Sequence, residues 1–70
     1  KRAGEGDVTR ALEAYDAALA AGRAPPAVHR SRGLVLRQLG RAEAAREAFR
    51  RYLELAPEAS DRAMIESYLQ

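Results

Sequence analysis

Several residue types that build stable sites in proteins are missing or rare in this sequence. It has no cysteine and no tryptophan, and His29 is its single histidine. Without thiolates, neither a disulfide framework nor a cysteine-ligated zinc or iron-sulfur site can form. No run of eighteen apolar residues is present, and the first six residues lack the apolar stretch of a secretory signal. We therefore expect a soluble domain, cytoplasmic or periplasmic, with no membrane span; the export signal of a longer parent would lie upstream.

Catalytic and cofactor-binding motifs are also missing. A metal site at His29 would need several carboxylates around it, and nothing in the sequence indicates them. The hydroxyl residues lie in no nucleophile motif, and the five glycines form no phosphate-binding loop. We interpret His29 as a packing or surface residue. The sequence predicts no catalytic residue, no metal and no cofactor, and therefore a protein that is not an enzyme.

The charged residues give a small basic excess. The sequence has twelve basic and ten acidic residues, and Lys1 is the only lysine. The arginines are interleaved with glutamates, and no aromatic and basic platform is present, so we expect no nucleic-acid partner. An acid-free patch would change that expectation. Its members would be Arg23, Arg30, Arg37 and Arg41.

Good helix formers fill the segments between Gly and Pro, and no alternating β-branched run appears. The sequence predicts an all-α fold with four helices. The first runs from Val8, capped by Asp7, to about Gly22. The second opens at Pro26 or the next residue and stops at Gly40.

The third predicted helix carries the clearest apolar stripe and ends at Pro57. Its members are Ala45, Ala48, Phe49, Tyr52 and Leu53. Ser60 is predicted to cap a fourth helix that begins at Asp61. That helix carries Met64, Ile65, Tyr68 and Leu69. Because the linkers are short, sequential helices are expected to pack as antiparallel hairpins.

The sequence repeats itself. Gly6 and Gly40 are 34 residues apart, and the residues that follow them match. The matching pairs are Ala11 with Ala45, Glu13 with Glu47, Ala14 with Ala48, Tyr15 with Phe49 and Leu19 with Leu53. A helix-turn-helix unit with this period is typical of one repeat family. On these matches the chain resembles the tetratricopeptide repeat.

The resemblance is carried by five positions in one stretch. They are Gly33, Gly40, Ala45, Phe49 and Pro57. Gly33 would allow two helices to approach closely, and Phe49 would fill the gap between repeats. Three positions depart from the family pattern: His29 stands where Trp is common, Arg32 where Leu is common, and Tyr52 where a small residue is usual.

The resemblance implies a single domain over residues 1–70, a bacterial-like fragment of an α-solenoid array. Residues 6–25 would be the second half of a truncated repeat, residues 26–59 one complete repeat, and residues 60–70 a terminal capping helix. The family's usual role implies a non-catalytic scaffold that binds a protein or peptide of unknown identity in a concave groove. The groove positions would be Ala27, Arg30, Ser31, Leu34, Arg37 and Gln38. Arg30 and Arg37, seven residues apart on one helix face, could bind carboxylates bidentately. The alternative is that they are simply solvated charges.

A structural role is the alternative hypothesis. The chain would then support an attached domain, or associate with itself through the exposed face of its first helix. The helix that should cover this face is absent from the chain. Val8, Leu12 and Tyr15 are therefore expected to be partly uncovered.

Overall fold

The computed structural model describes residues 3–70, with side chains from residue 6, and Lys1 and Arg2 lie outside the described residues. Four helices make up this part of the chain. They are α1 (Ala3–Ala20), α2 (Pro26–Gln38), α3 (Ala42–Leu55) and α4 (Arg62–Ser67). No strand occurs within residues 3–70. The predicted all-α fold with four helices is confirmed, and α2 packs most extensively against α3, then against α1.

Glycine turns end the first two helices, as predicted. Gly22 has φ 72° and Gly40 has φ 80°, the left-handed conformation that glycine adopts without a Cβ clash. After α2, the Gly40 N–H donates to the Arg37 carbonyl at 3.1 Å and the Arg41 N–H donates to the Leu36 carbonyl at 2.9 Å. The turn after α1 has the same bonding pattern. These bonds satisfy carbonyls at the helix end and turn the chain sharply.

The predicted start of the first helix was wrong. α1 begins at Ala3 instead of Val8, so Asp7 lies inside the helix instead of capping it. Gly6 is likewise helical, unlike its match Gly40, which lies in a turn. A glycine inside a helix costs only about 1 kcal/mol relative to alanine, so the helix continues through it.

The start of the fourth helix also differs from the prediction. α4 begins at Arg62, and its first flanking residue is Asp61, whose side chain makes no capping hydrogen bond. Ser60 lies one residue farther out, in a turn, so it is not the cap. Ile65 is fully buried as predicted, whereas Met64 is 47% exposed. The carboxylate of Asp61 is used elsewhere, as described below.

The core is built around α3. Its buried side chains are Leu12, Leu36, Ala45, Ala48, Phe49, Tyr52 and Ile65. Phe49 is 1% exposed, and its ring stacks on Tyr68 with centroids 5.2 Å apart. A Cβ on Gly33 would lie 2.5 Å from Cε1 of Phe49. Gly33 thus makes room for the ring of Phe49, which brings α2 close to α3.

The face of α1 is better covered than predicted. Leu12 is only 9% exposed and belongs to the core, because α1 packs against α2. The expectation that it is partly uncovered is therefore wrong. Val8 and Tyr15 are half-buried.

Candidate functional site

The six predicted groove residues all lie on α2. Four of them are exposed: Ala27, Leu34, Arg37 and Gln38. The other two, Arg30 and Ser31, are half-buried. Leu34 is one of the large apolar side chains at the surface, with 37% of its area exposed. Residues three and four positions apart share a helix face, so Arg30, Leu34 and Arg37 form one row along α2. The row consists of an apolar side chain between two cations.

Arg30 is engaged within the molecule. Its Nη1 lies 2.9 Å from Oδ2 of Asp61, and the Tyr52 hydroxyl donates to Oδ1 of the same carboxylate at 2.6 Å. The guanidinium carbon of Arg30 also lies 5.8 Å from the centroid of the Tyr52 ring. One carboxylate therefore joins α2, α3 and the residue before α4. The first predicted groove cation is already paired.

The charges of this cluster stabilise one another. The hydrogen bond from Tyr52, followed by the one from Arg30, lowers the pKa of the Asp61 carboxyl. The hydrogen bond to Asp61 raises the pKa of the Tyr52 hydroxyl and that of Arg30. Hydrogen bonds to the charged form of a group favour that form. Asp61 therefore stays ionised at neutral pH and Tyr52 stays protonated.

Arg37 is engaged differently. Its guanidinium carbon lies 4.7 Å from the centroid of Tyr68, within the range of a cation–π contact. Within the described part of the chain no carboxylate forms an ion pair with it. The aromatic contact orients the guanidinium without neutralising it. Arg37 is therefore the cation of the row whose charge is not balanced by an acid.

The two arginine contacts share one spacing. Arg30 and Asp61 are 31 residues apart, and so are Arg37 and Tyr68. α2 and the segment carrying α4 therefore lie side by side in the same direction. Leu34 is at the level of the middle of α4, the helix on which Met64 is exposed. Together, α2 and α4 form a surface with an arginine at each end, and we call it the α2/α4 face.

Sequence reasoning missed the contribution of α4 to this face. A signal was present, because extending the 34-residue period beyond residue 59 aligns Ser67 with Gly33, a small residue with a small residue. That alignment makes α4 equivalent to α2.

A family model described as tetratricopeptide repeat matches residues 3–70.

The chain belongs to the tetratricopeptide repeat family. The expected resemblance is thereby confirmed over nearly the whole sequence. Comparisons with curated proteins and with solved structures found no match. Tetratricopeptide repeats generally serve as scaffolds for protein–protein interaction and are typically non-catalytic.

A depression in this tetratricopeptide fold lies between α1, α2 and α3. It is an open cleft of about 410 Å³ lined by Leu19, His29, Arg32, Glu47, Ala48, Arg50, Arg51 and Glu54. Partial burial, then the nearby charges of Arg51 and Arg32, lower the pKa of His29. Both arginines already have acidic partners: Arg32 lies 2.7 Å from Asp16, and Arg51 lies 3.1 Å from Glu54. Among the described side chains no cluster of three metal-ligating residues occurs.

Two further observations bear on the partners of this tetratricopeptide chain. Asp61 lies against Arg30, so the basic residues near α2 do not form the acid-free patch that would indicate a nucleic-acid partner. Of the helices in residues 3–70, none combines the length and apolar character needed to cross a membrane.

Proposed function

We propose that the chain is a non-catalytic module that binds a segment of another protein on the α2/α4 face. The observation that carries the proposal is the row on α2, with an exposed Leu34 between Arg30 and Arg37 on a scaffold of this family. Met64 adds a second exposed apolar side chain from α4. Large apolar side chains at the surface, flanked by polar groups, are typical of interaction sites.

The chemistry of the face indicates the kind of segment it binds. An apolar side chain of the partner would pack on Leu34 and Met64, and a neighbouring carboxylate would bind Arg37. Arginine binds carboxylates through paired N–H donors, and the ring of Tyr68 holds the guanidinium in place. The helices are packed before the partner arrives, so the partner bears most of the ordering cost.

We also propose the division into repeats predicted from the sequence. Residues 26–59 form one complete repeat, with α2 and α3 as its two helices. Residues 6–25 are the second half of a preceding repeat, and residues 60–70 are a terminal segment that covers α2 and α3. The alignment of Ser67 with Gly33 supports treating α4 as the counterpart of α2.

Peptide selection from a displayed library tests the function. Selected peptides should combine an apolar residue with an acidic one. Their affinity, measured by fluorescence anisotropy, should fall about tenfold with Arg37→Glu, because a central arginine contact is typically worth at least 1 kcal/mol.

Arg10→Glu is the matched control, since it makes the same charge change at an exposed position on α1. It should leave the affinity within about twofold. Equal losses from Arg37→Glu and Arg10→Glu would show that the protein responds only to net charge. An empty selection would favour the structural alternative.

The structural alternative retains some support from α1. Val8 and Tyr15 are half-buried apolar residues seven positions apart, hence on one face. A concentration-dependent dimer in sedimentation velocity that Tyr15→Glu converts to a monomer would establish self-association through this face.

A further inference from the structure

We infer that Asp61 determines the specificity of the α2/α4 face. Because Asp61 forms an ion pair with Arg30, Arg37 is the cation of the α2 row that binds a ligand carboxylate. The face would then select partners with a single acidic group beside an apolar residue over partners with two acidic groups. This inference rests on the proposed function, because it concerns which ligands the same surface accepts.

Both oxygens of the Asp61 carboxylate accept a hydrogen bond. One oxygen accepts from Arg30 and the other from the hydroxyl of Tyr52. The side chain of Asp61 is only 20% exposed, and that of Arg30 is 37% exposed. Tyr52 is a core residue at 6% exposure, so its hydroxyl is held in place by packing. A rigid donor fixes the carboxylate, and the fixed carboxylate holds Arg30.

The spacing of the two arginines defines the ligand that Asp61 would exclude. Arg30 and Arg37 are seven residues apart, about 10.5 Å along the helix axis. In a polyproline II segment, which has three residues per turn, two acidic side chains three residues apart lie on the same side and are about 9 Å apart. Such a peptide would satisfy both arginines if Arg30 were unpaired. With Asp61 present, the second acid meets a carboxylate of the same charge and gains nothing.

Two capped hexapeptides provide the probes. Both contain a central leucine; one carries a single aspartate, and the other carries a second aspartate three residues away. Their affinities for the full chain are measured by NMR chemical-shift titration, which is suited to weak complexes. The wild-type protein should bind the two peptides equally or prefer the peptide with one acid.

Asp61→Asn is the test variant. Asparagine keeps an oxygen that accepts from the Tyr52 hydroxyl, but it removes the charge that holds Arg30. The variant should bind the two-acid peptide about 2- to 5-fold more tightly than the one-acid peptide, the range for an exposed ion pair. Adding Arg30→Gln to the variant should abolish this preference. Ser60→Asn, at an exposed neighbouring position, should behave as wild type.

The outcomes separate the two proposals. If the peptides bind in an Arg37-dependent manner but Asp61→Asn creates no preference for two acids, the role of Asp61 is wrong while the proposed function stands. If the wild-type protein itself binds the two-acid peptide more tightly, the role of Asp61 is likewise wrong while the proposed function stands. If neither peptide shows Arg37-dependent binding to any form, both proposals fail. Backbone amide spectra of each variant show whether the fold is retained.

Discussion

At the residue scale, the contact between Gly33 and Phe49 sets how closely α2 lies on α3. A Cβ at Gly33 would approach three atoms of the Phe49 ring at 2.5, 2.7 and 3.0 Å. The ring is buried and stacked on Tyr68, so it has little room to move. Overfilling a packed core typically costs 1–3 kcal/mol.

Gly33→Ala should therefore lower the free energy of unfolding, by up to about 2 kcal/mol after the roughly 1 kcal/mol gain in helix propensity is subtracted. Gly6→Ala is the control, because Gly6 is helical and a Cβ there would meet nothing within 4 Å. It should raise the free energy of unfolding by about 0.5–1 kcal/mol. Urea denaturation measures both, and equal stabilisation by the two changes would contradict the close contact at Gly33.

Removing the ring itself should have a larger effect. Phe49→Ala should cost about 3–5 kcal/mol, which a chain of this size cannot be expected to tolerate. Circular dichroism should show a protein that is largely unfolded at room temperature. Leu55→Ala, on the same helix at 45% exposure, should change the free energy of unfolding by less than about 0.5 kcal/mol. A cooperative melt of Phe49→Ala near the wild-type temperature would show that Phe49 is not the centre of the core.

At the element scale, α4 is a short helix that depends on its neighbours for its position. The Asp61 cluster lies at its start, and the stack of Tyr68 on Phe49 lies at its end. Between these points Ile65 is fully buried in the core. Loss of either attachment should loosen the helix.

The attachment through Asp61 predicts a dependence on pH. The folded-state pKa of Asp61 is lowered, so its contribution to stability is complete above the unfolded value of about 3.9 and is lost as the pH falls through the lower folded value. The difference in melting temperature between wild type and Asp61→Asn should be constant near neutral pH and shrink below about pH 4. Thermal melts across this range measure it. A difference that persists unchanged in acid would mean that the charge of Asp61 does not stabilise the fold.

Elements marked by local chemistry were predictable from the sequence. α2 and α3 are bounded by Gly and Pro, and the stripe of α3 repeats with helical spacing. Asp61 was harder, because the local pattern indicates only the start of a helix capped by Ser60, while the actual partners of Asp61 are 9 and 31 residues away. The local sequence does not indicate whether a carboxylate caps the helix beside it or pairs with a residue distant in sequence.

At the scale of the whole molecule, the candidate face was only partly predictable. The repeat register placed Arg30, Leu34 and Arg37 on one side of α2, since a helical period fixes which residues share a face. It did not indicate that Asp61 and Tyr68 contact the two arginines. The position of α4 depends on how helices distant in sequence pack, and a local pattern does not contain that information.

The spacing between α2 and α4 also has a consequence for any longer ligand. The repeat period is 34 residues, whereas the contacts between the two helices join residues 31 positions apart. Equivalent positions in the two helices are therefore staggered by three residues, about 4.5 Å along the axis. For helices packed about 9 Å apart, a line through equivalent positions crosses them obliquely. A bound chain that contacts the same position on successive helices would have to run diagonally.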